Sequence, residues 1–574
     1  MREYRIVMKK QWGIIFLGAM LFGGCAKIGT PTGGPRDVTP PRFLRSSPPN
    51  YSTNFSARKI ECWFDEYLQL KDINQQLMIS PPMKKKPSVT PKGKSFVLEL
   101  NDTLKARTTY VMDFGNAITD NNEGNVLEGF RYVFSTGDYI DSLSVSGTVI
   151  SAFDLKPPKE SFLILVYNDL SDTAPSAKLP LYVGRTNASG KYRIDNMAEG
   201  QYRFYAIKDN NSNFRYDPFT EPVAFIDSVI TLSPHQINTD SSGKLVPVEL
   251  PPFYFFTEND TRQYIKNTNR KEPCKLEVVM NIPPKGEILY HAPSFDVHEK
   301  LIAERNHSGD SLTLWITDSL LCAADSLTLI FSYFSPADSS RKTDTVRFNY
   351  FDAGGKKQKE FLQLKTSPSR GGTVDLFAPL AITAGKPVCK TDTSKIILTE
   401  TLDSVSRPRP FRFYRDSLNP RLCYVACSWQ PEGSYVLNMY PGFLTTCQGY
   451  TNDSLEVSFL AQKQEFYGNI ILHVGGHLTS PVIIQLYEKN LVDERYISSD
   501  TTLVFSMLKP ASYSFKAIYD DNHNKLWDTG NLKKKQQPEE IELMEESLTV
   551  RSNWDIEKTW ILKKRITGSK KNNK

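Results

Sequence analysis

Residues 202–217 read YRFYAIKDNNSNFRYD, and residues 513–528 read YSFKAIYDDNHNKLWD. In both stretches a run rich in aromatic and apolar residues enters a loop with Asp or Asn at every second position, and each loop closes on an Asp. The first part of each stretch is typical of a β-strand, and Asp and Asn favour turns because their side chains bond the nearby backbone. Because strand and loop recur together, the sequence predicts a duplicated module.

Strand patterns dominate the rest of the chain. Short alternating or β-branched runs recur at intervals of roughly 8 to 12 residues between Pro, Gly, Asn and Asp. Examples are Leu163–Tyr167 (LILVY), Ser326–Tyr333 (SLTLIFSY), Thr345–Tyr350 (TVRFNY) and Val482–Tyr487 (VIIQLY). No run longer than about ten residues keeps the 3.6-residue period of a helix. We therefore expect an all-β protein of tandem β-sandwich modules with few, short helices.

Length and charge limit the classes of protein to consider. The chain has 574 residues, 40% of them hydrophobic, and a formal net charge of +6. This length suits several modules of roughly 100 to 150 residues each. Lys and Arg alternate with Asp and Glu along the chain and form no basic stripe, so we predict no nucleic acid partner.

The N-terminal segment has the pattern of an export signal. Four basic residues lie among the first ten, an apolar run follows at residues 12–22 (WGIIFLGAMLF), and Cys25 comes directly after Gly23-Gly24. Residues 1–25 resemble a bacterial lipoprotein signal peptide, and the resemblance implies that Cys25 is lipidated and becomes the mature N-terminus. An ordinary signal peptide with a chance cysteine is the alternative.

Both ends of the mature chain read as segments outside the folded modules. Residues 26–39 are rich in Pro and Gly and are expected to form a flexible tether, while residues 563–574 form a basic tail. A lipid on Cys25 implies a membrane partner, with the outer membrane as the expected location. Surface-exported lipoproteins often carry acidic residues after the cysteine, and Ala26–Gly29 has none. This difference favours the periplasmic face.

Seven cysteines remain after Cys25, so at least one thiol is unpaired in an oxidising compartment. We predict one or two disulfides among Cys389, Cys423, Cys427 and Cys447, with the connectivity open. Buried, reduced cysteines that act as small apolar side chains are an equal alternative.

The first folded module is expected at residues 40–137. Alternating Ile60, Cys62 and Phe64 point one face of an early strand inward, and Pro81 ends a strand because proline cannot donate to the ladder. The ordered motifs are Ser47–Asn50 (SPPN), Ile60–Tyr67 (IECWFDEY), Met78–Pro82 (MISPP), Thr109–Met112 (TYVM), Asp120–Asn125 (DNNEGN) and Phe134–Gly137 (FSTG). These residues resemble the bacterial Ig-like domain first described in S-layer proteins, which implies a seven-stranded sandwich.

Residues 142–251 and residues 465–562 share a pattern that extends beyond the quoted stretches, since Val482–Tyr487 parallels Leu163–Tyr167. The motifs of the first copy are Val145–Val149 (VSGTV), Thr186–Ile194 (TNASGKYRI) and Glu199–Ala206 (EGQYRFYA). Their order resembles the transthyretin-like or carboxypeptidase-regulatory-like modules. The resemblance implies a small Greek-key sandwich that is usually non-catalytic and serves as a stalk or packing module.

The remaining β-rich sequence divides into two further modules. Residues 252–365 match no family by motif, and Thr366–Gly372 (TSPSRGG) reads as the linker that ends them. Residues 366–461 resemble the first module, with Leu376–Leu380 and Ser434–Leu437 placed where an Ig-like sandwich has core strands.

The repeated loops are the best candidate site in the sequence. Oxygen-bearing side chains occupy positions one, three, five and nine of each loop, as in the loops that wrap calcium. The candidate calcium ligands are Asp209, Asn211, Asn213 and Asp217 in the first copy and Asp520, Asn522, Asn524 and Asp528 in the second. Calcium here would stiffen the loop without taking part in catalysis, and no other cofactor is predicted.

Two departures weaken the calcium hypothesis. Position six is Phe214 or Lys525, where an EF-hand loop has Gly, and position twelve is Thr220 or Asn531, where it has a bidentate Glu. The alternative is a long hairpin loop held by Asx-turns, in which Asp and Asn bond their own backbone.

The sequence shows no nucleophile–base pair or metal motif, and the HVGGH stretch at residues 473–477 lacks the Glu and the helical pattern of a metalloprotease. The whole chain resembles multi-domain Ig-like lipoproteins of Gram-negative envelopes, which implies a non-catalytic, lipid-anchored protein that binds or scaffolds other envelope proteins. A glycan-binding accessory lipoprotein is the main alternative, and an enzyme within residues 252–365 is another. A flat ledge of exposed aromatics would favour glycan binding, and an unpaired strand edge would favour scaffolding.

Overall fold

A computed structural model describes residues 37–563 except 237, 240–244, 337–338, 352–360, 403–404, 477 and 479. Cys25, most of the predicted tether and all but the first residue of the basic tail lie outside the described residues. Within the described residues the fold is all-β, as predicted, and no helix is long and apolar enough to cross a membrane. The α-helices are single turns: α1 (Ile73–Gln76), α2 (Ala174–Ala177), α3 (Val297–Lys300) and α4 (Ser319–Ala323). Three 3₁₀ turns lie at Pro234–Gln236, Thr393–Lys395 and Gln464–Phe466.

The first module is a sandwich of a four-stranded and a three-stranded sheet. Its strands are β1 (Phe43–Ser47), β2 (Lys59–Phe64), β3 (Leu68–Leu70), β4 (Met78–Ser80), β5 (Ser88–Lys92), β6 (Ser95–Glu99), β7 (Thr109–Asp113), β8 (Ile118–Asp120) and β9 (Arg131–Ser135). The sheets have the orders β1-β2-β6-β5 and β4-β7-β9, and β3 pairs with β8. Ile60, Cys62 and Phe64 all lie in the core, and β4 ends directly before Pro81.

The second module extends beyond its predicted end. Its strands are β10 (Leu143–Ser151), β11 (Leu163–Tyr167), β12 (Tyr182–Arg185), β13 (Lys191–Met197), β14 (Gly200–Ile207), β15 (Val223–Phe225), β16 (Ile230–Leu232), β17 (Asn238–Thr239), β18 (Leu245–Val246), β19 (Val248–Glu249) and β20 (Phe253–Phe255). One sheet has the order β13-β10-β19 with β20 also on β10, and the other has β12-β11-β14-β15 with β16 also on β14. The predicted boundary after residue 251 is therefore wrong, because β20 pairs with β10 and buries Phe253 in the core of this module.

The third module is also a two-sheet sandwich. Its strands are β21 (Ile265–Glu272), β22 (Lys275–Met280), β23 (Leu289–His291), β24 (Leu301–Arg305), β25 (Ser311–Ile316), β26 (Ser326–Ser335) and β27 (Ser340–Asn349). The sheet orders are β21-β22-β25-β24 and β23-β26-β27. A disulfide joins Cys274 to Cys322 with the two Cα atoms 4.7 Å apart. This pair lies outside the four cysteines from which the sequence predicted disulfides.

The fourth module begins earlier than predicted. Its strands are β28 (Leu364–Ser367), β29 (Gly372–Val374), β30 (Leu380–Ala384), β31 (Val388–Thr391), β32 (Ile396–Leu402), β33 (Val405–Pro408), β34 (Arg412–Arg415), β35 (Leu422–Ala426), β36 (Ser434–Met439), β37 (Leu444–Thr446) and β38 (Leu455–Ala461). The sheet orders are β28-β30-β35-β34 and β29-β38-β36-β32-β33, and β31 pairs with β37. Because β28 pairs with β30, the predicted linker is a turn within this module.

Two further sequence predictions change in the fourth module. Leu376 to Pro379 form a turn in front of β30 and not a core strand, and Phe377 is 65% exposed. Cys389 and Cys447 form the second disulfide, with Cα atoms 5.2 Å apart, whereas Cys423 and Cys427 stay reduced. Burial raises the pKa of the Cys423 thiol to about 11, which fits an inert core side chain.

The fifth module repeats the strand order of the second. Its strands are β39 (Gly468–Gly475), β40 (Val482–Tyr487), β41 (Leu491–Ile497), β42 (Thr501–Leu508), β43 (Ala511–Tyr519), β44 (Ile541–Leu543), β45 (Leu548–Val550) and β46 (Asp555–Ile561). The sheet orders are β42-β39-β46, with β39 and β46 parallel, and β41-β40-β43-β44 with β45 also on β43. Apart from the β17-β18 pair, and with β46 in the place of β19 and β20, this order matches the second module, so the duplication extends beyond the loops.

The most apolar strands of the two copies are buried on both faces. Four of the five residues of β11 and five of the six residues of β40 are buried, which differs from the one-face burial of an isolated sandwich. A second apolar cluster covers the outer face of the second module. It includes Leu165, Tyr205, Tyr216, Val223 and Phe256, with Trp527 of the fifth module packed against them.

Later modules are joined to their neighbours by ion pairs. Arg421 Nη2 of the fourth module lies 2.6 Å from Glu304 Oε1 of the third. Lys509 Nζ of the fifth module lies 2.7 Å from Asp375 Oδ2 of the fourth, and the Tyr467 hydroxyl donates to Asp375 Oδ1 at 3.0 Å. Consecutive modules are therefore docked through side chains as well as connected by the backbone.

Candidate site: the two aspartate and asparagine loops

Each repeated loop joins two neighbouring antiparallel strands. The first loop, residues 208–222, connects β14 to β15, which pair through Ile207 and Val223. The second loop, residues 520–540, connects β43 to β44, which pair through Ile518 and Ile541. All four of these apolar residues are buried, so the core fixes both ends of each loop.

The two loops have the same backbone conformation. Positions four and six are left-handed in both, with φ of 61° at Ser212, 56° at Phe214, 63° at His523 and 64° at Lys525. Non-glycine residues rarely adopt this conformation because the Cβ atom crowds the following carbonyl. Both loops therefore turn through a left-handed residue at position six, although neither has the glycine that an EF-hand loop has there.

Hydrogen bonds to the first aspartate explain how the first loop holds this turn. Asp209 Oδ1 accepts from the backbone N–H groups of Asn211 and Asn213 at 3.2 Å each, and Oδ2 accepts from Phe214 N–H at 2.8 Å. Asp217 Oδ2 accepts from the side-chain amides of Asn211 at 2.6 Å and Asn213 at 3.1 Å. All four predicted residues are thus brought together, and they bond to one another and to their own backbone.

The second loop repeats this network. Asp520 accepts from the backbone N–H groups of Asn524 at 3.0 Å and Lys525 at 2.9 Å. Asp528 Oδ2 accepts from the side-chain amides of Asn522 and Asn524, the latter at 2.6 Å. The same spacing of Asp and Asn thus gives the same network in both copies.

A buried glutamate, which the sequence analysis missed, closes each loop. In the first loop Glu221 is 1% exposed, and its two carboxylate oxygens accept from the backbone N–H groups of Asn210 at 2.8 Å and Asp217 at 3.0 Å. Burial raises the pKa of Glu221, and the two backbone donors act in the opposite direction.

The second loop has its own closing glutamate. Glu539 accepts from Asp521 N–H at 2.9 Å and from Asp528 N–H at 3.0 Å, and burial again raises its pKa. The glutamates follow the closing aspartates at different distances along the chain, which hides them from a spacing pattern. Their common signal is an adjacent proline shortly before the next strand: Pro222 follows Glu221, and Pro538 precedes Glu539.

The polar side chains of both loops bond to the loops themselves. The first aspartate of each loop accepts backbone N–H bonds, and the asparagine amide nitrogens donate to the closing aspartate. Over the described part of the chain, no three His, Cys, Asp or Glu side chains are grouped to hold a metal. The Asx-turn network accounts for both loops, and calcium binding stays a prediction to be tested.

The first loop contacts the first module. Phe214 lines a cavity of about 30 Å³ together with Ile73, Leu77 and Met83 of the first module. Nearby, the backbone N–H of Val183 in β12 donates to Ser80 Oγ at 3.0 Å. The left-handed position six of the first loop thus places an aromatic ring at the boundary between two modules.

The second loop contacts the second module. The ring of Trp527 lies 5.0 Å from the ring of Phe153 in an edge-to-face contact. Lys516 Nζ lies 3.4 Å from the centre of the Phe153 ring, and Thr529 Oγ1 donates to the carbonyl of Thr257 at 2.8 Å. The two copies of the duplicated module are therefore docked to each other.

Glu258 joins the second module and the second loop. It accepts from the Tyr216 hydroxyl at 2.9 Å and from the backbone N–H of Leu532 at 2.6 Å. The backbone passes so close at Gly530 that a Cβ atom there would lie 2.5 Å from the Phe256 ring. The two loops predicted as metal sites thus form part of an interface between modules, through residues other than the predicted ligands.

His473 is the one histidine of the HVGGH stretch within the described residues. Its ring nitrogens lie 2.8 Å from Thr502 Oγ1 and 2.7 Å from Glu557 Oε1. A hydroxyl, an imidazole and a carboxylate in this order can activate a nucleophile, but these three side chains lie on the open face of the β42-β39-β46 sheet. We interpret them as a polar contact across three strands.

Comparison with known proteins identifies one module. The family model of the bacterial Ig-like domain matches residues 37–136, which is the first module. This match supports the Ig-like resemblance drawn from its motifs. The chain matches no curated protein.

Several solved structures resemble the chain at low identity. The major pilin subunit of Bacillus cereus is 8% identical with a TM-score of 0.16, covering 73% of this chain and 99% of the pilin chain. The S-layer protein rSbsC is 12% identical with a TM-score of 0.16, covering 74% of this chain and 67% of its own. The four N-terminal Ig domains of Dscam1 are 9% identical with a TM-score of 0.16, covering 91% and 100%. No functional argument rests on scores this low.

Proposed function

We propose that this chain is a non-catalytic, lipid-anchored protein of the bacterial cell envelope that binds or scaffolds other envelope proteins. The observation that carries the proposal is the use of the two candidate loops. Their polar side chains bond the loops themselves, and their aromatic side chains dock one module on another. Side chains at these positions build a framework of sandwiches and do not converge on a substrate pocket.

Several further features support this role. The first module matches a bacterial Ig-like domain. The second and fifth modules share a strand order with each other, and their motifs resemble those of transthyretin-like packing modules. The leader with Cys25 and the Pro/Gly-rich tether that follows it would hold these sandwiches at a membrane surface.

Exposed aromatic rings do not favour the glycan-binding alternative. The most exposed rings of the described chain are spread over different modules and the segment between them: Tyr51, Tyr67, Tyr139, Phe351 and Phe377. The rings of Tyr414 and Tyr424 are stacked on each other, 5.1 Å between centres, so each covers one face of the other. A protein partner therefore has the better support.

The anchor is tested by metabolic labelling with palmitate and membrane fractionation. The full chain is expected to carry the label and to sediment with outer membranes, and Cys25→Ser is expected to lose both properties. A Cys25→Ser chain that still carries palmitate would remove the anchor from the proposal.

The binding role is tested by affinity capture from envelope extract with residues 26–574 as bait. We expect specific envelope proteins on this bait that are absent from beads carrying the same chain after heat denaturation. Recovery of identical proteins on both kinds of bead would overturn the scaffolding role.

A further inference from the structure

Strand β42 is an exposed sheet edge. It lies at the end of the β42-β39-β46 sheet, and among the described residues its strand pairing is with β39 alone. Its sequence, TTLVFSML, contains neither a charged residue nor a proline, and Val504 at its centre is 53% exposed. An edge of this kind presents free backbone N–H and C=O groups to another chain.

Other edges in the molecule carry protection that β42 lacks. Charged side chains or proline on an edge strand oppose pairing with a further strand. In the described part of the chain, every other edge strand of five or more residues carries at least one such residue: β1, β5, β9, β13, β21, β24, β27, β41 and β46. Among the described edge strands of this length, β42 alone therefore lacks a charged residue or a proline.

The duplicated module shows that this edge can be covered. Strand β13 of the second module is the counterpart of β42, and it lies beside the first module. Asp195 of β13 pairs with Arg131 of the first module at 2.6 Å. The first copy of the module thus has a neighbour beside this strand, whereas in the described residues the second copy has none paired there.

We propose that β42 pairs with β42 of a second copy of this chain, antiparallel and about a two-fold axis at Val504. In this register the two Val504 side chains meet, Thr502 faces Ser506 of the second copy, and Leu503 faces Phe505 of the second copy. Each pair joins residues of matching polarity and brings no like charges together. Two three-stranded sheets then form one six-stranded sheet with the symmetry most common among homodimers.

The ends of the strand limit the pairing to its central part. Met507 has a φ of 60°, so the backbone leaves the extended conformation directly after Ser506. Because Thr501 would face Met507 in this register, the pairing segment is Thr502 to Ser506. This inference deepens the proposed scaffolding role by naming one partner, and its test does not depend on recovering other envelope proteins.

Sedimentation analysis of residues 26–574 tests the dimer. We expect reversible dimerisation, and Val504→Lys should weaken it at least tenfold because two ammonium groups would meet at the two-fold axis. The matched control is Val492→Lys, a 47% exposed valine on the charged edge strand β41, which should leave the dimer unchanged. Circular dichroism verifies that both variants fold.

Disulfide crosslinking tests the register independently. Val504→Cys should form a covalent dimer under mild oxidation because the two residues face each other across the axis, whereas Thr502→Cys should not. The parent chain controls for the half-buried thiol of Cys427. A chain that stays monomeric at all concentrations, a dimer that survives Val504→Lys, or a different protein captured at β42 in place of the second copy would each overturn the proposal.

Discussion

At the scale of single residues, the candidate site was largely predictable from the sequence. Asp and Asn at alternate positions of the two loops indicated either calcium ligands or Asx-turns, and the structure shows the hydrogen bonds of Asx-turns in both copies. Glu221 and Glu539 were not predicted, because each lies outside the repeated spacing and gains its role only when the loop folds back.

Replacing the left-handed lysine of the second loop by glycine should stabilise the fifth module. Lys525 has a φ of 64°, and a non-glycine residue there costs about 1 kcal/mol. Lys525→Gly should therefore raise the free energy of unfolding by up to about 1 kcal/mol in chemical denaturation. The control is Leu526→Gly at the next residue, whose φ is not positive, and it should destabilise. Equal effects of both substitutions would contradict the strain argument.

Removing the carboxylate that closes the second loop should lower the free energy of unfolding. Glu539→Ala leaves the backbone N–H groups of Asp521 and Asp528 without this acceptor, at a cost of about 2 to 4 kcal/mol in total. Glu545→Ala, at an exposed glutamate of the same module, is the control and should stay within about 0.5 kcal/mol of the parent chain. Thermal unfolding followed by circular dichroism measures both variants, and similar losses would show that Glu539 has no special structural role.

At the scale of elements, period-two patterns identified the strands well and their grouping less well. Val482–Tyr487 was predicted residue for residue, whereas β20 and β28 were assigned to the wrong modules. The sequence of a short strand next to a turn does not indicate which sheet the strand joins. The strongly apolar sequences of β11 and β40 did hold information on packing, since burial on both faces requires a further layer outside the sandwich.

The two self-bonded loops should be insensitive to calcium. Their aspartates already accept N–H bonds, so calcium would have to displace an existing network before it gained ligands. We expect the same melting temperature with millimolar calcium and with a chelator. If calcium raised it and the chelator reversed the rise, the calcium hypothesis would be correct, and replacing Asp217 and Asp528 singly and together would show whether both loops bind.

At the scale of the whole molecule, the tandem β-sandwiches could be predicted from the sequence, but their docking on one another could not. The hydrogen bonds from Thr529 to Thr257 and from Leu532 to Glu258 join residues 272 and 274 positions apart. Surfaces that are so distant along the chain can be complementary without any periodic pattern in the sequence that would predict their contact.

Docking of the second and fifth modules should strengthen as the pH rises above 8. Burial at the interface lowers the pKa of Lys516 from its ordinary 10.5 to about 8, although Asp154 opposes the shift and Lys156 adds to it. Between about pH 8 and pH 10.5 the docked state binds fewer protons than the separated state, so raising the pH favours docking. We expect the two modules to separate in the first transition on heating, at a temperature that rises with pH between 8 and 10. In Lys516→Met this transition temperature should no longer depend on pH. An unchanged pH profile in that variant would assign the dependence to other groups.

A valine at Gly530 should separate the second and fifth modules without unfolding either. A Cβ atom at this position would lie 2.5 Å from the Phe256 ring and 2.7 Å from the Gln536 carbonyl, so the second loop has to move away from Phe256. Gly385→Val is the matched control, because a Cβ atom there meets its nearest neighbour, the Gln363 carbonyl, at an ordinary 3.6 Å. Small-angle X-ray scattering should show a larger radius of gyration for Gly530→Val alone, with far-ultraviolet circular dichroism unchanged. If both variants scattered like the parent chain, the contacts of Glu258 and Thr257 with the second loop would not hold the modules together in solution.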